Sequence, residues 1–348
     1  MHVSAYCLGT MMFGVAGNPD HDDCIRIVHA ALDSGINFID TADMYSTGES
    51  EEIVGKALKG RREDVILATK GHFSMGDGPN RRGNSRRWIT TAVENSLTRL
   101  QTDWIDLYQI HRPDPSTQIE ETLSVLSDLV SQGKLRAFGS STFPAERIME
   151  AQWVAERRSL KRFRTEQSPY SLLARGIETS VLPTCRQYGI GVLTWSPLAG
   201  GFLSGAYRKG QPIDLTSGRP ALQPHWFDPS IPENARKLEI VERLIALATE
   251  IGCSLRELAL AFPITHPAVT SVIIGPRTMH QLEQLLAGSS LALDDHTLDR
   301  VDEIVPPGTS HHTVAWRPPE LDDPNLRRRP PTDRRATQTE PEITTSAR

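Results

Sequence analysis

Strand-length runs rich in β-branched and aromatic residues recur along the chain, and each is followed by a stretch whose apolar residues repeat at helical spacing. Strands are predicted at 5–8, 37–40, 65–70, 105–111, 135–139, 164–167, 192–195 and 271–274. Helices are predicted between them at 22–34, 49–59, 85–100, 119–132, 144–157, 179–188, 233–251 and 279–286. In the fourth helix Ile119, Leu123, Leu126 and Leu129 share one face, with charged residues opposite. Two more helices are predicted at 254–263, ending at a proline, and at 294–304, with Asp294 as N-cap. Residues 200–232 form a long Gly/Pro-rich connection after the seventh strand, a length that usually carries function or disorder. Eight βα pairs suggest a closed parallel barrel, although a doubly wound open sheet gives the same rhythm, and the placement of polar residues has to decide.

The periodicity stops near the C-terminus. Residues 317–348 hold six of the 24 prolines, seven arginines, six acids and no aromatic residue. Such a segment cannot bury enough apolar surface to offset its ordering entropy, so a disordered tail is predicted behind a barrel domain at 1–316.

The 38 basic residues are scattered among 43 acidic ones for a net charge of −5, which argues against nucleic-acid binding. An apolar run of about 18 residues and a signal-like start are both missing, so the chain reads as cytoplasmic, without a membrane contact. Cys7, Cys24, Cys185 and Cys253 are far apart and form no CxxC, as expected of free, buried thiols in a reducing compartment. His311-His312 has no cysteine or carboxylate at ligand spacing, and no metal site is expected. GxSxG, GxxxxGK[ST], HExxH and GxGxxG do not occur, which removes support for a nucleophile elbow, a phosphate loop, a zincin helix and a dinucleotide-binding fingerprint.

Three predicted strands end in an ionisable residue: Asp40, Lys70 and His111, with Tyr45 in the loop after Asp40. In a parallel barrel the carboxyl ends of the strands face one side, where the connecting loops build a site. A phenol with a pKa of about 10 is a poor proton donor near neutrality, so its pKa must fall for catalysis. An ammonium about 4 Å away contributes up to roughly 4 kcal/mol at an effective dielectric near 20, or about three pKa units before desolvation opposes it. Lys70 is therefore expected to lower the pKa of Tyr45. Asp40 would hold Lys70 charged, and His111 would position a carbonyl oxygen or share its proton.

The chain resembles the aldo-keto reductases, particularly the branch that includes potassium-channel β-subunits and bacterial β-subunit-like reductases. The resemblance is carried by Leu8-Gly9-Thr10-Met11, Gly35 to Tyr45 (GINFIDTADMY), Ala68-Thr69-Lys70, Ile105 to His111 (IDLYQIH), Gln167, Thr194 to Gly201 (TWSPLAGG) and Ile274-Gly275-Pro276-Arg277. It implies a (β/α)8 TIM barrel with extra helices and a long cofactor-covering loop after strand 7. It also implies NADPH-dependent reduction of a small aldehyde or ketone, with Asp40, Tyr45, Lys70 and His111 as the catalytic tetrad. The implied cofactor contacts are Gly9, Thr10, Met11, Asp40, Ser141, Gln167, Trp195, Ser196, Pro197, Leu198, Gly200, Gly275, Arg277, Gln281 and Gln284. Arg277 would meet the adenosine 2′-phosphate and favour NADPH over NADH by charge-assisted pairing. Met11, Met44, Phe73 and Trp88 would line the substrate pocket.

The chain also departs from that pattern. Ser141-Thr142 stands where relatives have Ser-Asn, Gly205-Ala206 where they have Gly-Lys, and Leu285 where they have an adenine-side Asn. Arg208 or Arg219 would then supply the missing loop cation. Few residues precede the first strand, where relatives place a hairpin that closes the barrel floor, so either the floor is more exposed or the true start lies upstream. The competing function is a cofactor-sensing regulatory subunit with little turnover. The sequence neither requires nor excludes a homo-oligomer.

Overall fold

In the computed structural model, parallel strands close on themselves in chain order: β1 (Tyr6–Gly9), β2 (Phe38–Asp40), β3 (Ile66–Gly71), β4 (Ile105–Ile110), β5 (Leu135–Ser141), β6 (Thr165–Pro169), β7 (Gly191–Trp195) and β8 (Val269–Ile274). β8 pairs back onto β1 through Tyr6↔Val272, Cys7↔Ile273 and Leu8↔Ile274, which completes the barrel. The closed alternative is therefore the one adopted, and no open doubly wound sheet forms. Residues 1–216, 218–288 and 291–312 are described. The chain divides after Val314 into two units, and all described residues belong to the first. The tail read at 317–348 lies outside the described residues.

The helices are α1 (His21–Asp33), α2 (Glu49–Ala57), α3 (Arg86–Leu100), α4 (Ile119–Ser131), α5 (Ala145–Arg157), α6 (Val181–Tyr188), the short α7 (Gly218–Leu222) and α8 (Pro224–Phe227), then α9 (Pro232–Glu250), α10 (Leu255–Thr265), α11 (Met279–Ala287) and α12 (Asp295–Ile304). Their starts follow local chemistry. Asp20, Ser85, Thr278 and Asp294 each accept a hydrogen bond from a first-turn N–H, and Ser254 with Glu257 forms a reciprocal capping box. One predicted end is corrected: α10 does not stop at Pro263 but runs to Thr265. Cys7, Cys24 and Cys185 are buried free thiols as expected, whereas Cys253 is only partly buried in the turn between α9 and α10. No helix among the described residues is long and apolar enough to cross a membrane.

The barrel interior shows why polar residues gather at one end. Cys7, Phe38, Ala68, Leu107, Leu193 and Ile273, from six different strands, form an apolar cluster inside the barrel. Side chains alternate faces along a strand, so the residues two positions later point inward as well. Those residues are Gly9, Asp40, Lys70, Gln109, Trp195 and Gly275, a layer of polar residues and glycines with one aromatic, Trp195, packed on the apolar layer beneath. At the opposite end a cavity opens among the strand starts, lined by Phe38, Ile66, Leu107, Ala137 and Leu193 with Met1 and Val3 at its side.

Candidate active site

Asp40 ends β2 and Lys70 lies near the end of β3, both inside the barrel mouth. The Lys70 Nζ donates to Asp40 Oδ2 at 2.5 Å and to the Thr41 carbonyl at 2.8 Å, with Lys70 fully buried and Asp40 nearly so. The other carboxylate oxygen, Oδ1, accepts from Gln167 Nε2 at 2.8 Å and from Gln109 Nε2 at 3.3 Å. Both oxygens of Asp40 are thereby engaged, and the carboxylate is a fixed anchor for the ammonium. Lys70 Nζ lies 5.1 Å from the Tyr45 ring centroid. Tyr45 opens a 3-10 turn over Tyr45–Gly48 in which Ser46 and Thr47 take left-handed φ values of 46° and 56°. That kink carries the phenol to Lys70 before α2 begins. His111 meets Tyr45 edge-on at 6.0 Å between ring centroids, and Phe73 meets His111 at 4.9 Å.

The electrostatics sort these groups by proton state. Burial pulls the Lys70 pKa down, but Asp40 and Tyr45 outweigh it, and the ammonium stays charged with its pKa raised. Burial raises the Tyr45 phenol, with Asp40 adding to the rise, and the opposing pull of Lys70 does not cancel it. The expectation of a lowered phenol pKa is corrected in this respect: Lys70 acts in the expected direction, but desolvation is larger. Burial, then Lys70, Arg112 and His72, pushes His111 well below the usual imidazole range, so it is neutral near pH 7. The site accordingly presents a protonated phenol, a charged ammonium and a neutral imidazole whose Nδ1 is buried without a hydrogen-bond partner among the described residues.

Other expected site residues divide. Phe73 packs on His111 and lies 5.7 Å from the Arg112 guanidinium carbon, and Met44 is exposed beside Tyr45. Trp88 instead lines a separate cavity with Met75, Gly78, Pro79, Asn80 and Arg81, to which no tetrad residue contributes. Met11 is exposed, but the Thr10 side chain is fully buried, donating to the Asp40 carbonyl at 3.3 Å and sharing a hydrogen bond with Ser50 at 2.9 Å. Thr10 therefore braces the end of β2, and its backbone is engaged as well: its N–H donates to the Asp40 carbonyl at 3.0 Å and its carbonyl accepts from Ser50 Oγ at 2.8 Å. Ser141 donates to the Gln167 carbonyl at 3.0 Å. Gln281 Oε1 accepts from the Arg277 N–H at 2.8 Å, and Gln284 pairs with His280 at 2.8 Å, so both glutamines have partners on their own helix or its entry.

Several features fit a dinucleotide phosphate chain. Gly200 and Gly201 adopt φ of 68° and 111°, which leaves bare backbone after β7, and Ser196 Oγ accepts the Gly200 N–H at 3.1 Å. Leu198 is half-buried and Pro197 buried beside them. Arg208 is committed to Glu242 by two hydrogen bonds of 2.8 and 2.7 Å. Arg219, partly buried, has no carboxylate partner among the described residues, so it is the better-placed of the two candidate loop cations. Arg277 has its backbone held by Gln281 and by Asn18 Nδ2 at 3.0 Å, with its guanidinium exposed. Trp195 stands half-buried at the top of β7. Leu285, where an adenine-side amide was sought, is a core residue.

Sequence reasoning missed Gln109, Arg112 and a buried polar cluster behind β3. Gln109 had a signal, since it precedes His111 by the strand period of two.

The sequence model of the Aldo/keto reductase family matches residues 5–306. The chain belongs to the aldo/keto reductase family. An oxidoreductase of Bacillus subtilis (strain 168), YrpG, is 40% identical over 329 residues, covering 91% of this chain and 97% of its own. The aldo-keto reductase YhdN of the same organism is 39% identical over 298 residues, 83% of this chain and 86% of its own. A probable voltage-gated potassium channel subunit beta of Oryza sativa subsp. japonica is 36% identical over 293 residues, 82% and 88% of the two chains. As an aldo/keto reductase with a closed eight-stranded barrel, the protein is an oxidoreductase of a family that generally uses NAD(P)H.

Proposed function

We propose that this aldo/keto reductase reduces an aldehyde or ketone to an alcohol with NADPH, Tyr45 giving the proton. The observation that carries the reading is the convergence of Asp40, Lys70, Tyr45 and His111 at the C-terminal mouth of the barrel. When bound, the cofactor supplies a hydride to the carbonyl carbon. His111, neutral and braced by Phe73, positions the carbonyl oxygen against the Tyr45 hydroxyl. Tyr45 transfers its proton to that oxygen as negative charge develops there. Lys70, kept cationic by Asp40, stabilises the resulting phenolate until water returns the proton.

The residues suited to hold the cofactor are Gln167 and Ser141 toward the carboxamide, Trp195 beside the ring, Gly200 and Arg219 along the phosphates, and Arg277 at the 2′-phosphate. Arg277 supports NADPH over NADH because its guanidinium has no carboxylate partner among the described residues. The test is steady NADPH oxidation with a panel of aldehydes and ketones, repeated with Tyr45→Phe. Multiple turnover lost by about 10²-fold or more in the variant, with NADPH binding retained, is the expected result. Tight binding without turnover by the wild type would favour the regulatory reading that the channel-subunit relative suggests.

A further inference from the structure

The mouth of the barrel holds one more charged side chain that the tetrad does not use. Arg112 follows His111 and is half-buried. Its Nη1 donates to the His111 carbonyl at 2.5 Å, and its guanidinium carbon lies 5.7 Å from the Phe73 ring centroid. Phe73 packs in turn on the His111 ring at 4.9 Å, so a single aromatic ring links the guanidinium to the imidazole. The Arg112 carbonyl accepts from Asn84 Nδ2 at 3.0 Å, and the buried Asn84 pairs through Oδ1 with His72 Nδ1 at 2.8 Å. The backbone of Arg112 is thereby held from the loop between β3 and α3. Among the described residues the guanidinium has no carboxylate partner, and the His111 carbonyl is the one acceptor it meets, although it carries five N–H donors. Other charged groups on this side of the site are engaged elsewhere. Lys70 is held by Asp40 at 2.5 Å, and Asp114 accepts from the Asn84 N–H at 2.9 Å and from the hydroxyls of Ser116 at 2.5 Å and Thr117 at 2.8 Å. Two buried polar atoms on neighbouring strand ends, His111 Nδ1 and Thr142 Oγ1, also lack partners among the described residues. Thr142 lies two residues beyond Ser140 as Arg112 lies two beyond Ile110, and Ile110 pairs with Ser140 in the β4–β5 register.

We propose that Arg112 is a substrate-binding residue that selects carbonyl compounds carrying a carboxylate, the anion meeting the guanidinium while the carbonyl oxygen meets Tyr45 and His111. The inference rests on the reductase reading above. Burying a cation without an anion leaves its desolvation uncompensated. Burial pulls the Arg112 pKa down, with Tyr45 and then Glu166 opposing it, and the guanidinium remains charged near neutrality. A carboxylate offsets that desolvation through two parallel charge-assisted hydrogen bonds, which match the planar fork of the guanidinium. One unpaired cation suits a monoanion. A phosphate would call for a second, and Lys70 is already committed to Asp40. Phe73, between the guanidinium and the imidazole, supplies an apolar wall for the carbon chain that joins the two groups, so the compounds expected are short oxo acids.

Two measurements on the full chain test this. The first compares kcat/KM with NADPH for succinic semialdehyde and for butanal, in the wild type, Arg112→Met and Arg112→Lys. The wild type should prefer the oxo acid by about tenfold or more. Arg112→Met, whose side chain keeps an apolar stem, should bring that ratio to about one, mainly through KM, and Arg112→Lys should restore part of it. The same preference in wild type and Arg112→Met would overturn the proposal, as would a stronger preference for glyceraldehyde 3-phosphate than for the oxo acid. The second needs no turnover: a calorimetric titration of the ligand-free protein with benzoate and with benzamide, which share a shape and differ in charge. Benzoate should bind about tenfold more tightly or better, and Arg112→Met should erase the difference. Equal affinities in the wild type, or a benzoate preference that survives in Arg112→Met, would overturn the proposal whether or not the protein reduces any carbonyl tested. An Arg112-dependent benzoate preference in a protein without turnover would support the anion subsite and locate the failure in the reductase reading.

Discussion

The Lys70 ammonium meets the Asp40 carboxylate at 2.5 Å with its own side chain wholly out of solvent. Removing one partner of such a pair strands the other charge in the interior, at a cost of about 3–5 kcal/mol. Asp40→Leu and Lys70→Met should each lower the urea midpoint accordingly, and the double variant should cost less than the two combined. Additive losses would mean that the pair is not coupled.

Thr142 follows β5 at φ 59°, a left-handed conformation that a β-branched residue adopts only under strain, and its Oγ1 is buried without a partner among the described residues. The amide found there in relatives tolerates this backbone. Thr142→Asn should therefore stabilise by about 1 kcal/mol in thermal unfolding. A lower melting temperature would refute the strain.

Asp43 and Glu166 both have folded-state pKa values raised to about 7 by burial. A folded pKa above the unfolded value of about 4 means that the native state keeps protons the unfolded chain has lost, so stability falls as pH rises from about 4 to about 7. Asp43→Asn removes its share. Its stability should exceed wild type by an amount on the order of 3–4 kcal/mol above about pH 7, with no gain from this source below about pH 4. Equal gains at both extremes would exclude titration as the cause.

Arg277→Ala should weaken NADPH binding by about tenfold or more, as expected for loss of a charge-assisted contact, and leave NADH nearly unaffected. Fluorescence titration with both nucleotides checks this. Equal losses would move the 2′-phosphate contact elsewhere.

Strand positions and the meeting of Asp40, Tyr45, Lys70 and His111 at one end of the barrel were legible in the sequence because a period of two and a single sidedness of strand ends govern both. Asp40, Lys70 and His111 stand where that rule puts inward residues. Which atoms are already engaged was not legible. Thr10 looks like a mouth residue until Ser50, forty positions on, takes its hydroxyl. Arg208 and Arg219 were equivalent until Glu242 of α9 claimed the first. Asp43 reads as an ordinary turn former because Gly71 and Tyr108, which enclose it, come from other strands. The rise in the Tyr45 pKa likewise depends on burial, which spacing does not report.

The apolar ring of Phe38, Ala68, Leu107 and Leu193 separates the cavity at the strand starts from the Lys70–Asp40 pair above it. It works as a dielectric wall one side chain thick, with a cavity on one side and an ion pair on the other. Trimming Leu107 or Phe38 would breach that wall from below and hydrate the ammonium, so chemistry at the mouth depends on residues that no substrate ever touches.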